Sequence, residues 1–134
     1  MLQTTIHALL TGSLVPSGDE FIYIVRSGED VMYVGKTRDP NRRMEQHFTS
    51  TFLTFTMEDK RDVLRWTVEL REVKECQEYI PPNYAYFDLD AAEVCTIQAL
   101  NPVLNATYNF HASPMPERYK PLFEIEPGLT DNLY

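Results

Sequence analysis

Two short runs rich in β-branched and aromatic residues stand close together early in the chain, Phe21 to Arg26 and Val31 to Gly35. Side chains of this kind fit the pleated surface of a strand. Between the runs lies Ser27-Gly28-Glu29-Asp30, a glycine-containing turn. So short a gap has no room for the crossover that parallel neighbours need, so the two strands form an antiparallel hairpin. Whatever else the chain does, it must build its core around that hairpin.

The segments that follow supply the covering elements. Asp39-Pro40 reads as a helix start, with Asp39 as N-cap and Pro40 in the first turn, and the helix runs to His47 or Phe48. Residues 49–61 carry no clear period. Val63 to Val73 alternates, with Leu64, Trp66, Val68 and Leu70 on one side, and is expected as a third strand. Residues 74–87 contain Pro81-Pro82-Asn83 and read as a connecting insert. Asp88 or Asp90 caps a further helix, Ala91 to Leu100, which ends before Pro102. The expected fold is α+β, a small three-stranded, mainly antiparallel sheet flanked by helices. Its organisation is an N-terminal arm at 1–19, a domain at 20–105, and a proline-rich tail at 106–134 that packs on the domain or meets a partner.

Composition narrows the functional classes. A chain of 134 residues with 43% hydrophobic and 24% charged residues suits one soluble domain with one core. No apolar run is long enough to span a bilayer, and Met1 to Leu10 lacks the basic start of a signal peptide, so no membrane role and a cytoplasmic location are expected. Cys76 and Cys95 lack zinc-type spacing and read as reduced, buried thiols. The net charge of −8 argues against nonspecific coating of nucleic acid, because such affinity comes from bases that neutralise phosphates. The charge is unevenly spread. Residues 21–47 hold Arg26, Lys36, Arg38, Arg42 and Arg43 against Glu29, Asp30, Asp39 and Glu45, a sum of about +1. The hairpin and the helix after it are the least acidic part of the chain.

That same stretch carries an ordered set of polar residues. Phe21-Ile22-Tyr23 is followed by Tyr33-Val34-Gly35-Lys36-Thr37. Arg43 lies ten residues after Tyr33, and His47 fourteen after it. Glu93 opens the later helix, and Asn105 follows it by twelve. Each has an ordinary reading alone: half-buried strand tyrosines, a solvated helix face, a first-turn acid, a helix stop. As an ordered set over residues 20–105 they resemble the GIY-YIG nuclease family. Phe21 stands where that family's first motif has glycine.

The resemblance implies a metal-dependent endonuclease that hydrolyses a phosphodiester, with DNA the first expectation for substrate. It implies Tyr23, Tyr33, Arg43, His47 and Glu93 as catalytic residues, and Lys36, Arg42 and Asn105 as substrate-binding ones. Glu93 would hold one Mg²⁺ or Mn²⁺, a hard cation suited to a carboxylate. Tyr33 would activate or orient the attacking water, its pKa lowered by Lys36 and Arg43. Arg43 would grip a phosphate with its planar fork. Tyr23 would bond the water or the phosphate, and His47 would accept the tyrosine proton or bind phosphate. Asn105 would fix local backbone geometry or the phosphate. The acidic exterior motivates an alternative, a weak or inactive member of the fold that binds a protein partner or a second copy of itself. A nuclease directed at RNA is the remaining reading.

Overall fold

The strand β2 (Phe21–Ser27) is the most buried element among the described residues, with only Arg26 partly exposed. Its residues do not alternate in polarity because both of its faces are covered. In the computed structural model, which describes residues 1–49, 57–81, 87–116 and 118–119, it lies inside a four-stranded sheet. The other strands are β1 (Leu2–Thr5), β3 (Asp30–Thr37) and β4 (Thr67–Arg71), in the order β1-β4-β2-β3. All three pairings are antiparallel.

The hairpin between β2 and β3 turns through Gly28 at φ +62, where glycine pays no steric cost. A bulge then interrupts the pairing: Val25 faces Tyr33 but Arg26 faces Val31, which leaves Met32 as the extra residue. The bulge resets the strand's phase. Met32 and Tyr33 consequently both pack toward one face, while Val31 and Val34 pack toward the other.

Helices cover both faces. On one side are α1 (Ile6–Thr11), α2 (Pro40–Thr49) and α3 (Met57–Leu64). Ile6, Leu9, Met44 and Val63 from these helices join Phe21, Tyr23, Val25 and Met32 in one core. On the other side the 3₁₀ segment Val73–Tyr79 and α4 (Leu89–Leu100) bury Cys76, Ala92 and Ile97 against Ile22, Ile24 and Val34. Both cysteines are free and buried. Asp88 caps α4, its carboxylate accepting from the Ala91 amide at 2.9 Å, and Asn101 ends the helix at φ +48.

Three features depart from the sequence reading. The sheet has a fourth strand, because Leu2–Thr5 pairs along β4, Leu2 opposite Leu70 and Thr5 opposite Thr67. The expected strand from Val63 to Val73 is shorter. Val63 and Leu64 belong to α3, the chain turns at Arg65 and Trp66, and β4 proper is Thr67–Arg71. Val63 is buried in a helix just as it would be in a strand, so burial alone left the period ambiguous. Finally, the start of the insert is a 3₁₀ segment braced by the buried cation Arg71. Its guanidinium bonds Glu69 at 2.7 Å and the Glu75 carbonyl at 3.0 Å, and lies 4.9 Å from the Tyr79 ring centroid. Residues 82–86 of that insert, 50–56 of the stretch without period, and 117 and 120–134 of the tail lie outside the described residues.

The segment 103–105, at the end of the domain, covers the free edge of β3. Val103 and Leu104 donate to the carbonyls of Val31 and Met32 at 3.0 and 2.9 Å. Further on, the Tyr119 hydroxyl meets Ser27 Oγ and Trp66 Nε1, each at 2.9 Å, and Arg118 donates to the Ser27 carbonyl at 3.1 Å and to Asp30 at 3.0 Å. These contacts hold the tail against the hairpin turn.

Candidate active site

Gly35 explains how the two motif tyrosines come together. It lies opposite Tyr23 across the hairpin, and a Cβ there would collide with the Tyr23 ring and hydroxyl. The absence of a side chain lets the Tyr23 ring lie over β3, stacked beside Tyr33 with centroids 6.0 Å apart. Phe21 is accommodated in a similar way. It is buried in the core, and its ring tip sits where a Cβ on Gly18 would lie 2.6 Å away. The large residue at that motif position thus packs inward against a loop glycine, in the same core as Tyr23.

The helix α2 delivers the next two groups. Asp39 accepts from the Arg42 amide at 3.1 Å and fixes the first turn. Arg43 and His47, four apart, then lie on one helix face directed at the tyrosines. Arg43 Nε donates to the Tyr23 hydroxyl at 3.2 Å, and that hydroxyl lies 2.6 Å from His47 Nε2. The His47 ring meets Tyr33 edge-on at a centroid distance of 4.8 Å and Tyr23 at 5.7 Å. Tyr23 is 1% exposed and His47 4%, so this is a buried bond in a dry setting.

Burial governs the ionisation of the cluster. Burial, and then the Arg43 charge, hold the His47 pKa down to about 4, so its imidazole is neutral near pH 7. With Arg43 donating to the phenol oxygen, the Tyr23 proton is free to bond His47 Nε2. Burial and the neighbouring Tyr33 push the Tyr23 phenol well above its ordinary range. Tyr33 is also raised: burial is the largest cause and Glu93 adds to it, and together they outweigh the opposing Arg43 charge. Arg43 pulls the Tyr33 pKa down as expected, Lys36 does not contribute, and the net shift is upward. The ring is too far out of water, and Lys36 is committed elsewhere, its ammonium paired with Asp90 on α4.

Glu93 faces this cluster from α4. With Tyr33, Ile97, Asn105, Ala106, Thr107 and Tyr108 it lines a cleft of about 270 Å³. Its carboxyl pKa is raised by burial, against the pull of Lys36 and Arg43. A second cleft of about 260 Å³, lined by Thr37, Arg38, Asp39, Arg42, Arg43 and Gln46, opens on the α2 side. Arg43 thus stands between a carboxylate cleft and an arginine-lined one. A larger cleft of about 690 Å³ between α1 and α2 includes neither tyrosine nor Glu93.

Asn105 is fully engaged. Its Oδ1 accepts from the Val34 amide at 2.9 Å and its Nδ2 donates to the Val34 carbonyl at 2.8 Å. The side chain therefore acts as a piece of strand against β3 and fixes the residue next to Tyr33. Among the described residues no cluster of three or more His, Cys, Asp or Glu could cage a metal. Glu93 alone, opening into a cleft, fits a hard divalent ion that keeps most of its water shell.

The sequence-stated residues Tyr23, Tyr33, Arg43, His47 and Glu93 are brought into one neighbourhood, with Lys36 and Arg42 exposed at its margins. Two contributors went unnoticed in the sequence. Asp90 engages Lys36, and Tyr108 forms part of the cleft wall. Only tertiary structure brings these two to the site, although an aromatic residue in a polar tail segment was a visible signal for Tyr108.

The fold and cluster define a small α+β domain in which an arginine, a phenol and a carboxylate line open clefts with a second phenol buried behind them, a set suited to handling phosphate. The family model of the GIY-YIG catalytic domain matches residues 20–103, more than half the chain, and the chain belongs to that family, one of nucleases that act on nucleic acid. No curated protein and no solved structure matches it. No helix among the described residues is long and apolar enough to cross a membrane.

Proposed function

We propose that the chain is a metal-dependent endonuclease that hydrolyses a DNA phosphodiester. The observation that carries this reading is the convergence of Tyr33 and Glu93 on one cleft, with Arg43 beside them bonded to Tyr23. In this reading a water attacks phosphorus, a new P–O bond forms, the bond to the leaving sugar oxygen breaks, and the proton that the water loses passes to solvent, which returns one to the leaving oxygen. Tyr33 in its neutral form accepts a hydrogen bond from that water and aims it. The Arg43 guanidinium binds the non-bridging oxygens and offsets the charge that grows on them. The Tyr23–His47 pair holds Arg43 and the Tyr33 ring in register. Arg42 binds a flanking phosphate, Lys36 binds another by exchanging its exposed pair with Asp90 for it, and Asn105 positions Tyr33 through Val34. A divalent ion on Glu93, Mg²⁺ or Mn²⁺, would supply further charge neutralisation at the leaving oxygen.

The test is cleavage of supercoiled plasmid and of branched DNA, with Mg²⁺ or Mn²⁺ and with chelator, by wild type and Glu93→Ala. Metal-dependent cutting that disappears in a folded Glu93→Ala is expected. Cutting retained by the variant would overturn the role of Glu93. No cutting of DNA or RNA by the wild type would favour a partner-binding member of the fold.

A further inference from the structure

The wall of the Glu93 cleft ends in an aromatic side chain that the hydrolysis does not use. Tyr108 lines that cleft yet is 49% exposed. Its backbone sits at φ +61, a conformation that a bulky L-residue rarely adopts and that the surrounding structure must enforce. The enforcing contacts are visible. Asn109 Nδ2 donates to the carbonyls of Pro102 and Asn105 at 2.6 and 2.8 Å, and the Ser113 amide donates to the Asn101 carbonyl at 3.0 Å. The loop is tied at both ends and presents its aromatic side chains outward. Phe110, two residues on, is 77% exposed. Phe110 buries little surface in the folded chain and Tyr108 only about half of its own, so packing there offsets little of the strain.

The whole-chain charge narrows what such a ring would meet. At −8 the chain gains little from the counterion release that drives duplex binding. An aromatic face offers affinity of a different kind, because every nucleobase has a π-face and stacks regardless of sequence. In a duplex the base faces are already covered by their neighbours. They become available only where the strand is unpaired.

We propose that Tyr108, with Phe110 beside it in the loop, is a stacking platform for an unpaired nucleobase next to the scissile phosphate. The preferred DNA then carries a single-stranded arm, flap or gap. This rests on the nuclease reading for its substrate, but binding alone tests it. The full chain, without divalent metal, is titrated by fluorescence anisotropy with a blunt duplex and with the same duplex bearing a single-stranded arm that contains 2-aminopurine. The arm is expected to tighten binding about tenfold, with quenching of the base analogue on binding. Tyr108→Asn, which tolerates the positive φ, should lose both the preference and the quenching, while Tyr108→Phe keeps them. Equal binding of the two DNAs by wild type, or an unchanged preference in Tyr108→Asn, would overturn the platform. Cleavage assays separate the two readings. Metal-dependent cutting with no effect of Tyr108→Asn leaves the nuclease and removes the platform. Intact stacking without cutting under any divalent metal removes the nuclease and leaves the platform.

Discussion

Gly35 has no side chain, and Tyr23 uses the space. Adding a methyl there forces a buried ring to move, which in well-packed interiors costs about 1–3 kcal/mol. Gly35→Ala is expected to lower the unfolding free energy by that amount and to reduce activity, since Tyr23 would leave Arg43 and His47. In a Tyr23→Ala background the same substitution should cost little, and a double-mutant cycle in urea checks this coupling. His47 gives a second prediction at this scale. Its folded pKa of about 4 lies below the ordinary 6.5, so the folded protein resists a proton that the unfolded chain accepts. The sign follows: this contribution is complete above pH 6.5 and is lost as pH falls toward 4. Its size is on the order of 3 kcal/mol. Urea melts across that range should show wild type losing more stability than His47→Gln. Equal losses would mean that His47 is not held neutral by its surroundings.

At the scale of elements, the edge of β3 is where the site is built, and a side chain completes it. Asn105 gives Val34 both a donor and an acceptor, as a neighbouring strand would. Asn105→Ala leaves two backbone groups to find water, at a cost of about 2 kcal/mol or more. The expected signature is faster hydrogen exchange at the Val34 amide and a drop in kcat, because Tyr33 is the next residue along. Asn105→Asp keeps the acceptor for the Val34 amide and should protect that amide better than alanine does. If Val34 exchange is unchanged in Asn105→Ala, the asparagine does not hold the strand. The bulge at Met32 belongs to the same scale: by resetting the strand it puts Met32 and Tyr33 toward one face, with Met32 filling the core and Tyr33 reaching the cleft.

For the whole molecule, charge is distributed so that one side of an acidic protein can meet a polyanion. Lys36, Arg38, Arg42 and Arg43 lie around the two clefts, and Lys36 and Arg38 are already paired with Asp90 and Glu20. Each phosphate contact contributes a slope of about −0.9 in log affinity against log salt on duplex DNA. Four contacts at most predict a slope no steeper than about −4. Salt titration of DNA binding measures it, and a slope much steeper than this would point to a second basic surface elsewhere on the chain.

The hairpin, the helix after it and the capped helix at Glu93 were legible in the sequence because each is set by local chemistry: β-branched runs around Gly28, Asp39-Pro40, and Asp88 before an apolar stretch. The motif residues were legible because their order and spacing are a property of the chain itself. The fourth strand was not, since Leu2–Thr5 becomes a strand only by pairing with a partner more than sixty residues away. Nor was the boundary at Val63, where helix and strand bury the same side chain. The ionisation of Tyr33 was misjudged from sequence because adjacent charges can be counted there but desolvation cannot. Sequence alone determined the ordered set of residues proposed to carry the chemistry. Only the tertiary structure decided how dry their surroundings are, which carboxylate takes Lys36, and that Tyr108 closes the cleft, because each depends on what packs from elsewhere in the chain.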